Sequence, residues 1–156
     1  MQQALTDAAA LRVWPDTVNI SVPLNLVEAV AWQESGWQST IVSCYGAYGT
    51  MQLTADTASF LNQRFGTSYD MHTLAGNCNL GSADLQWLVK YFGDVYFNGD
   101  YDLTVQDPNN PTLLDAVIAA YNVGFGAVDT ANGLVIPNRA YVNAVEYDMT
   151  HAPWNG

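Results

Sequence analysis

The sequence predicts a mainly α fold: a helical bundle around one core, with a small β-hairpin or loop set against it. Three observations carry that reading. Apolar residues recur at helical spacing in several separated stretches, strand-like alternation is scarce, and the hairpin signal is confined to Ser43–Leu53. At 156 residues, 49% of them hydrophobic, the chain is long enough to close one compact domain.

Residues 2–13 read as a short helix ending before Pro15, and residues 1–21 together as an N-terminal helix and linker. Ser21 and Pro23 mark the next helix start, with Ser as the cap and Pro in the first turn. Leu24, Val27, Val30 and Ala31 then recur at helical spacing, and Gly36 supplies the stop. Ser43–Leu53 places Gly46 and Gly49 among Tyr, Ala and Thr, which predicts a loop with a small hairpin. A new helix starts near Thr54, and another runs over roughly residues 81–92. Asn98–Pro111, rich in Asn, Asp, Gly and Pro, is the most loop-like part of the chain. Leu113–Tyr121 is an apolar helix fit only for burial, and Arg139–Met149 an amphipathic one that closes the chain. Internal repeats and low-complexity stretches are absent.

Charge narrows the partners. Fifteen acidic residues stand against only Arg12, Arg64, Lys90 and Arg139, a net charge of -11. Phosphate binding needs clustered Lys and Arg, so nucleic acid is excluded as a partner, whereas a glycan is compatible. No apolar stretch approaches the roughly 20 residues of a membrane helix. Met1–Leu11 has neither a basic start nor a long apolar block, so no signal peptide is visible. That suits a removed signal, another export route, or a domain cut from a longer chain. His72 and His151 are isolated and give Cys44 and Cys78 no zinc-ligand spacing, and nothing calls for a metal or cofactor. Both cysteines sit in polar, loop-like segments, which favours a single bridge in an exported protein over two buried thiols.

Glu34 is the candidate reactive group. Positions 27, 30, 31 and 34 share one helix face, and Glu34 continues a stripe otherwise made of Val27, Val30 and Ala31. Desolvation favours its neutral form, and so does the negative end of the helix dipole in the last turn. Both effects push the pKa in the direction a general acid near neutral pH requires. Glu28 lies on a different face and reads as solvated. Glycosidic cleavage commonly uses two carboxylates. Yet from Ser35 to Ala55 there is no Asp or Glu, leaving only later residues such as Asp56, Asp84 and Asp115 to approach in space.

The residues that follow carry a resemblance. Glu34-Ser35-Gly36-Trp37, Val42-Ser43, Gly46-Ala47, Gly49 and Met51-Gln52-Leu53 resemble the first signature of the soluble lytic transglycosylase family. Ala120-Tyr121-Asn122-Val123-Gly124 with Gly126 and Val128 is similar to the second, Tyr141-Val142 with Val145 to the third, and Asn79-Leu80-Gly81 to the segment linking them. Order and spacing agree over residues 22–149 of the single domain 1–156.

The resemblance implies a lysozyme-like fold and cleavage of the N-acetylmuramic acid–N-acetylglucosamine bond in peptidoglycan, leaving 1,6-anhydro ends. It implies Glu34 as acid and then base, with the substrate supplying the nucleophile, which fits the empty loop after Glu34. By motif position, Ser43 and Gln52 line the cleft and Asn122 holds sugar hydroxyls. Tyr121 orients the N-acetyl group or the Glu34 carboxyl, and Tyr141 closes the site from the last helix. It also implies a place outside the cell or in the envelope, while the missing signal and the acidic charge suit a virion- or lysis-associated or multidomain setting. Gly46 and Gly49 serve tight turns and close sugar approach. Trp32, Trp37 and Tyr45 suit either sugar stacking or packing.

The chain departs from the family pattern where Thr54-Ala55 stands for Met-Pro and where Phe125 stands in a Gly-Pro-Gly turn, placing an aromatic at the cleft rim. Asp100, Asp102 and Asp107 lack the glycine and terminal Glu of a calcium loop and read as solvated. A goose-type lysozyme-like hydrolase, a non-catalytic wall-binding module and a chitin-cleaving enzyme stay open as alternatives.

Overall fold

The computed structural model describes residues 1–15 and 18–156. Seven α-helices occur among them: α1 (Gln2–Ala10), α2 (Leu24–Ser35), α3 (Ala55–Phe65), α4 (Leu74–Tyr96), α5 (Leu113–Val123), α6 (Phe125–Val128) and α7 (Arg139–His151). A 3-10 turn over Pro153–Asn155 follows α7, and a two-stranded antiparallel ribbon, β1 (Asp129–Thr130) and β2 (Gly133–Leu134), precedes it. Asp129 pairs with Leu134 and Thr130 with Gly133.

Helix α4 is the spine, packing against α1, α3 and α5, while α2 lies between α1 and α7. Leu26, Val27 and Val30 of α2, Leu80, Leu85, Val89 and Phe92 of α4, and Ile118 of α5 meet in one fully buried core. The stripe read from the sequence is buried, with Val27, Val30 and Ala31 showing no exposed surface, and Leu26 and Ala29 outside the stripe are buried as fully. Burial of this kind contributes about 25 cal/mol per Å² of apolar surface, which is what holds short helices of modest propensity in place.

Helix boundaries follow local chemistry. Gly36 ends α2 in a left-handed conformation at φ 58°, and Thr54 starts α3 by accepting the Thr57 N–H. Thr112 and Asp115 form a reciprocal capping box on α5. Five expectations are corrected. No side chain caps α2: Pro23 is its N-cap, and Ser21 is not part of it. Helix α1 stops at Ala10, with Leu11 extended. Helix α4 begins at Leu74, earlier than residue 81, because Thr73 caps it by accepting the Gly76 N–H and Gly76, Asn77 and Cys78 are buried helical residues. That placement also removes the disulfide, since Cys78 lies buried in α4, Cys44 is exposed on a loop, and both are free. Burial pushes the Cys78 thiol up to about 11. Fifth, Glu28 is only 6% exposed: its carboxylate accepts from the Gln2 amide, joining α1 to α2.

The 43–53 segment folds as expected into a tight irregular hairpin, with bridges pairing Tyr48 to Val42 and to Leu53. Asp100, Asp102 and Asp107 spend their carboxylates on nearby N–H groups of their own loop. No cluster of three or more His, Cys, Asp or Glu able to hold a metal occurs among the described residues. No helix among them is long and apolar enough to cross a membrane.

Candidate active site

The end of α2, the 43–54 loop, α4 and the end of α5 enclose a cleft of about 710 Å³. Glu34, Ser43, Gln52, Tyr121 and Asn122 all line it. They come from segments far apart in sequence, held by a small set of buried polar contacts. Ser35, one residue past Glu34, donates its hydroxyl to the Thr50 carbonyl at 2.8 Å and so ties the loop to the end of α2. Asn77 of α4 does the same from the other side. Its Oδ1 accepts the Met51 N–H at 2.8 Å, and its Nδ2 donates to the carbonyls of Tyr48 and Met71, each at 2.9 Å. Gly49 gives Asn77 its space, since a Cβ there would sit 2.7 Å from the Asn77 amide nitrogen.

Glu34 is partly buried, and that burial pushes its pKa up. The opposing influence is Tyr141 of α7, whose hydroxyl donates to Glu34 Oε1 at 2.5 Å. Tyr141 does not line the cleft wall; it backs the carboxyl from the last helix. Burial first, and then the Glu34 charge, push the Tyr141 phenol well above its ordinary range, so it stays a donor throughout neutral pH. Glu34 is thereby held protonated more readily than a surface Glu, with a fixed donor ready for the carboxylate once the proton leaves.

The other expected residues divide. The Ser43 hydroxyl accepts the Ala47 N–H at 3.0 Å and organises its own turn while facing the cleft. Gln52, at φ 48°, donates to the Gly49 carbonyl at 2.9 Å. Asn122 accepts from Asn138 at 2.9 Å and is exposed on the rim. Tyr121 does not hold the Glu34 carboxyl: its hydroxyl donates to the Met51 carbonyl at 2.8 Å, bracing the loop. The three aromatics separate as well. Trp32 and Trp37 pack with Trp154 away from the cleft, while Tyr45 lines it and is 91% exposed.

Of the three later carboxylates, Asp56 and Asp84 do line the cleft, whereas Asp115 is bound to Arg139 at 2.5 Å and faces elsewhere. Phe60, Trp87 and Phe125 form an aromatic wall in the same cleft that Asp84 lines, one helical turn before Trp87 on α4. Phe125 therefore stands at the rim, as its place in the sequence implied. Phe60, Trp87 and Asn77 were not singled out from the sequence. The i, i+3 spacing of Asp84 and Trp87 on one face of α4 was the available signal.

Residues 16–136 match the family model described as the transglycosylase SLT domain. The chain belongs to that family. The matched residues stop before α7, so Tyr141 reaches Glu34 from outside them. A membrane-bound lytic murein transglycosylase F of Pseudomonas syringae is 31% identical over 113 residues, covering 72% of this chain and 19% of that protein. A namesake from Pseudomonas fluorescens is 33% identical over 113 residues, covering 72% and 20%. The SLT-domain chain thus spans about a fifth of the length of these curated relatives. Among solved structures, the 70 kDa soluble lytic transglycosylase of Escherichia coli superposes with a TM-score of 0.59 at 23% identity, over 92% of this chain and 18% of that one. An inactive mutant of the Pseudomonas aeruginosa lytic transglycosylase Slt gives 0.60 at 22%, over 97% and 21%. These likenesses establish the lysozyme-like fold.

Proposed function

We propose that this SLT-domain chain, acting as one catalytic domain over residues 1–156, is a peptidoglycan lytic transglycosylase. It cleaves the β-1,4 bond between N-acetylmuramic acid and N-acetylglucosamine and leaves 1,6-anhydro-muramyl ends. The observation that carries this reading is the partly buried Glu34 in the cleft, its pKa raised by burial and its carboxyl bonded by Tyr141 at 2.5 Å. The names of the curated relatives support a murein substrate and a place in the cell envelope.

In the proposed reaction the Glu34 carboxyl gives its proton to the glycosidic oxygen, and the bond to the muramyl C1 breaks. The substrate's own N-acetyl carbonyl stabilises the positive C1. The Glu34 carboxylate, steadied by the Tyr141 hydroxyl, then takes the proton of the muramyl 6-hydroxyl as O6 bonds to C1. Glu34 ends protonated, ready for another turnover, and no water is consumed. Ser43 and Gln52 line the sugar path, Asn122 offers its amide at the rim, and Tyr121 holds the loop against α5.

A second reading, hydrolysis, is favoured by one observation: Asp56 and Asp84 share the cleft with Glu34. Two carboxylates flanking a sugar can direct water onto C1. Mass spectrometry of muropeptides released from purified peptidoglycan separates the readings. Anhydro-muramyl ends establish the transglycosylase; reducing, hydrated ends overturn it in favour of the hydrolase; and binding without release leaves a wall-binding module.

A further inference from the structure

The α4 side of the cleft is built differently from the α2 side that carries Glu34. Asp84 lies there, partly buried, with no hydrogen-bond or ion-pair partner among the described residues. Trp87 follows it at i+3 on the same helix face and anchors an aromatic wall. Phe60 meets Trp87 edge-on at 5.4 Å, and Phe125 meets it at 5.3 Å. Phe60 and Phe125 remain 43% and 45% exposed, so this wall presents apolar ring surface to whatever enters the cleft.

The charge around this wall has one sign. Glu34, Asp56 and Asp84 line the cleft, and no Lys or Arg does. All four basic side chains are engaged elsewhere. Arg12 donates to the carbonyls of Ala9 and Leu11, Arg64 lies over Trp14, Lys90 pairs with Asp94, and Arg139 pairs with Asp115. An unpaired carboxylate is poorly placed in a cleft that aromatic rings help to line, and burial pushes the Asp84 pKa up to about 7. A ligand cation would reverse that penalty by supplying the missing charge, and the rings would add their own attraction for it.

We propose that this side of the cleft is a subsite for a primary ammonium group on the glycan substrate, with Asp84 as its counter-ion and Phe60, Trp87 and Phe125 as its aromatic walls. The subsite rests on the glycan-cleaving reading of the cleft. Two parts of a wall polymer carry such a group: a glucosamine whose N-acetyl has been removed, and the free terminal amine of a diamino acid in an uncross-linked peptide stem. In either case acetylating the amine abolishes the charge and leaves the rest of the ligand unchanged.

The test uses the full chain carrying Glu34→Gln, so that ligands bind without turnover, with calorimetric titration as the readout. Four soluble muropeptide probes are compared: glycan with free glucosamine, the same glycan acetylated, glycan with a free-amine stem, and that stem acetylated. One free-amine probe should bind about tenfold more tightly than its acetylated partner, and which pair shows the difference identifies the source of the ammonium. Adding Asp84→Asn should abolish that preference, and Phe125→Ala should reduce it. Equal affinity within both pairs overturns the subsite without any reliance on the Asp84 variant. So does an Asp84→Asn chain that keeps the preference, or one that weakens both members of a pair alike. Failure of every probe to bind refutes the glycan reading together with the subsite; binding without preference refutes the subsite alone.

Discussion

Replacing Asp84 by Asn should stabilise the protein, and by an amount that grows with pH. Burial raises the Asp84 carboxyl from its ordinary 3.8 to about 7, with no partner to oppose the shift. Below the lower value the group is neutral in both folded and unfolded chains, and its ionisation takes nothing from stability. As the pH rises between the two values, the unfolded chain releases the proton while the folded chain keeps it, so stability falls; above about 7 the loss is complete. About three pH units at roughly 1.4 kcal/mol each set a ceiling of about 4 kcal/mol. Access of water to the cleft and relaxation around the charge will bring the measured figure below that ceiling. Asn has nearly the same shape and does not titrate, so the variant lacks this loss. The assay is urea unfolding of both chains between about pH 4 and pH 8, with the difference in unfolding free energy plotted against pH. Every other titrating group is common to the two chains and cancels. A difference that is constant with pH, or that widens toward acid, would refute the desolvation argument.

Glu34→Gln should abolish cleavage, lowering the rate by about a thousandfold or more, while the fold and glycan binding survive; muropeptide release and thermal unfolding measured together check this. Tyr141→Phe removes the bond that lowers the Glu34 pKa, so the alkaline limb of the activity profile should move to higher pH. The rate should also drop about tenfold or more, because the carboxylate loses its donor. A limb that stays in place or moves toward acid would separate Tyr141 from Glu34. Asn77→Ala loses three hydrogen bonds between α4 and the 48–71 region. It should reduce stability by about 3 kcal/mol in urea unfolding and raise KM more than it lowers kcat, because the cleft loop loses its anchor.

What could be read from the chain alone was whatever repeats locally. The Val27, Val30, Ala31, Glu34 face is set by the 3.6-residue period, and the same backbone geometry decides which side chains enter the core and which carboxyl continues the stripe. The α2 stop at Gly36, the α3 start at Thr54 and the buried α5 helix are local in the same sense. The early part of α4 was illegible because its glycines resemble loop punctuation. Gly76 is in fact helical and buried, where a Cβ would lie 2.0 Å from the Asp70 carbonyl oxygen, and the sequence does not distinguish a glycine that packs from one that turns. Cys78 was misplaced for the same reason.

The sequence by itself determined the helical class, the candidate carboxyl and the family motifs, because each depends on residue type and short-range spacing. Only the tertiary structure decided which distant groups meet. It bonded Tyr141 to Glu34 across 107 positions, gave the Tyr121 hydroxyl to Met51, bound Asp115 to Arg139, and left Asp84 without a partner among the described residues in a cleft with an aromatic wall. The physical reason is that a side chain's charge state and partners follow from burial and neighbours, and both are set by how α4, α5 and α7 pack around α2 rather than by the residues adjacent in sequence.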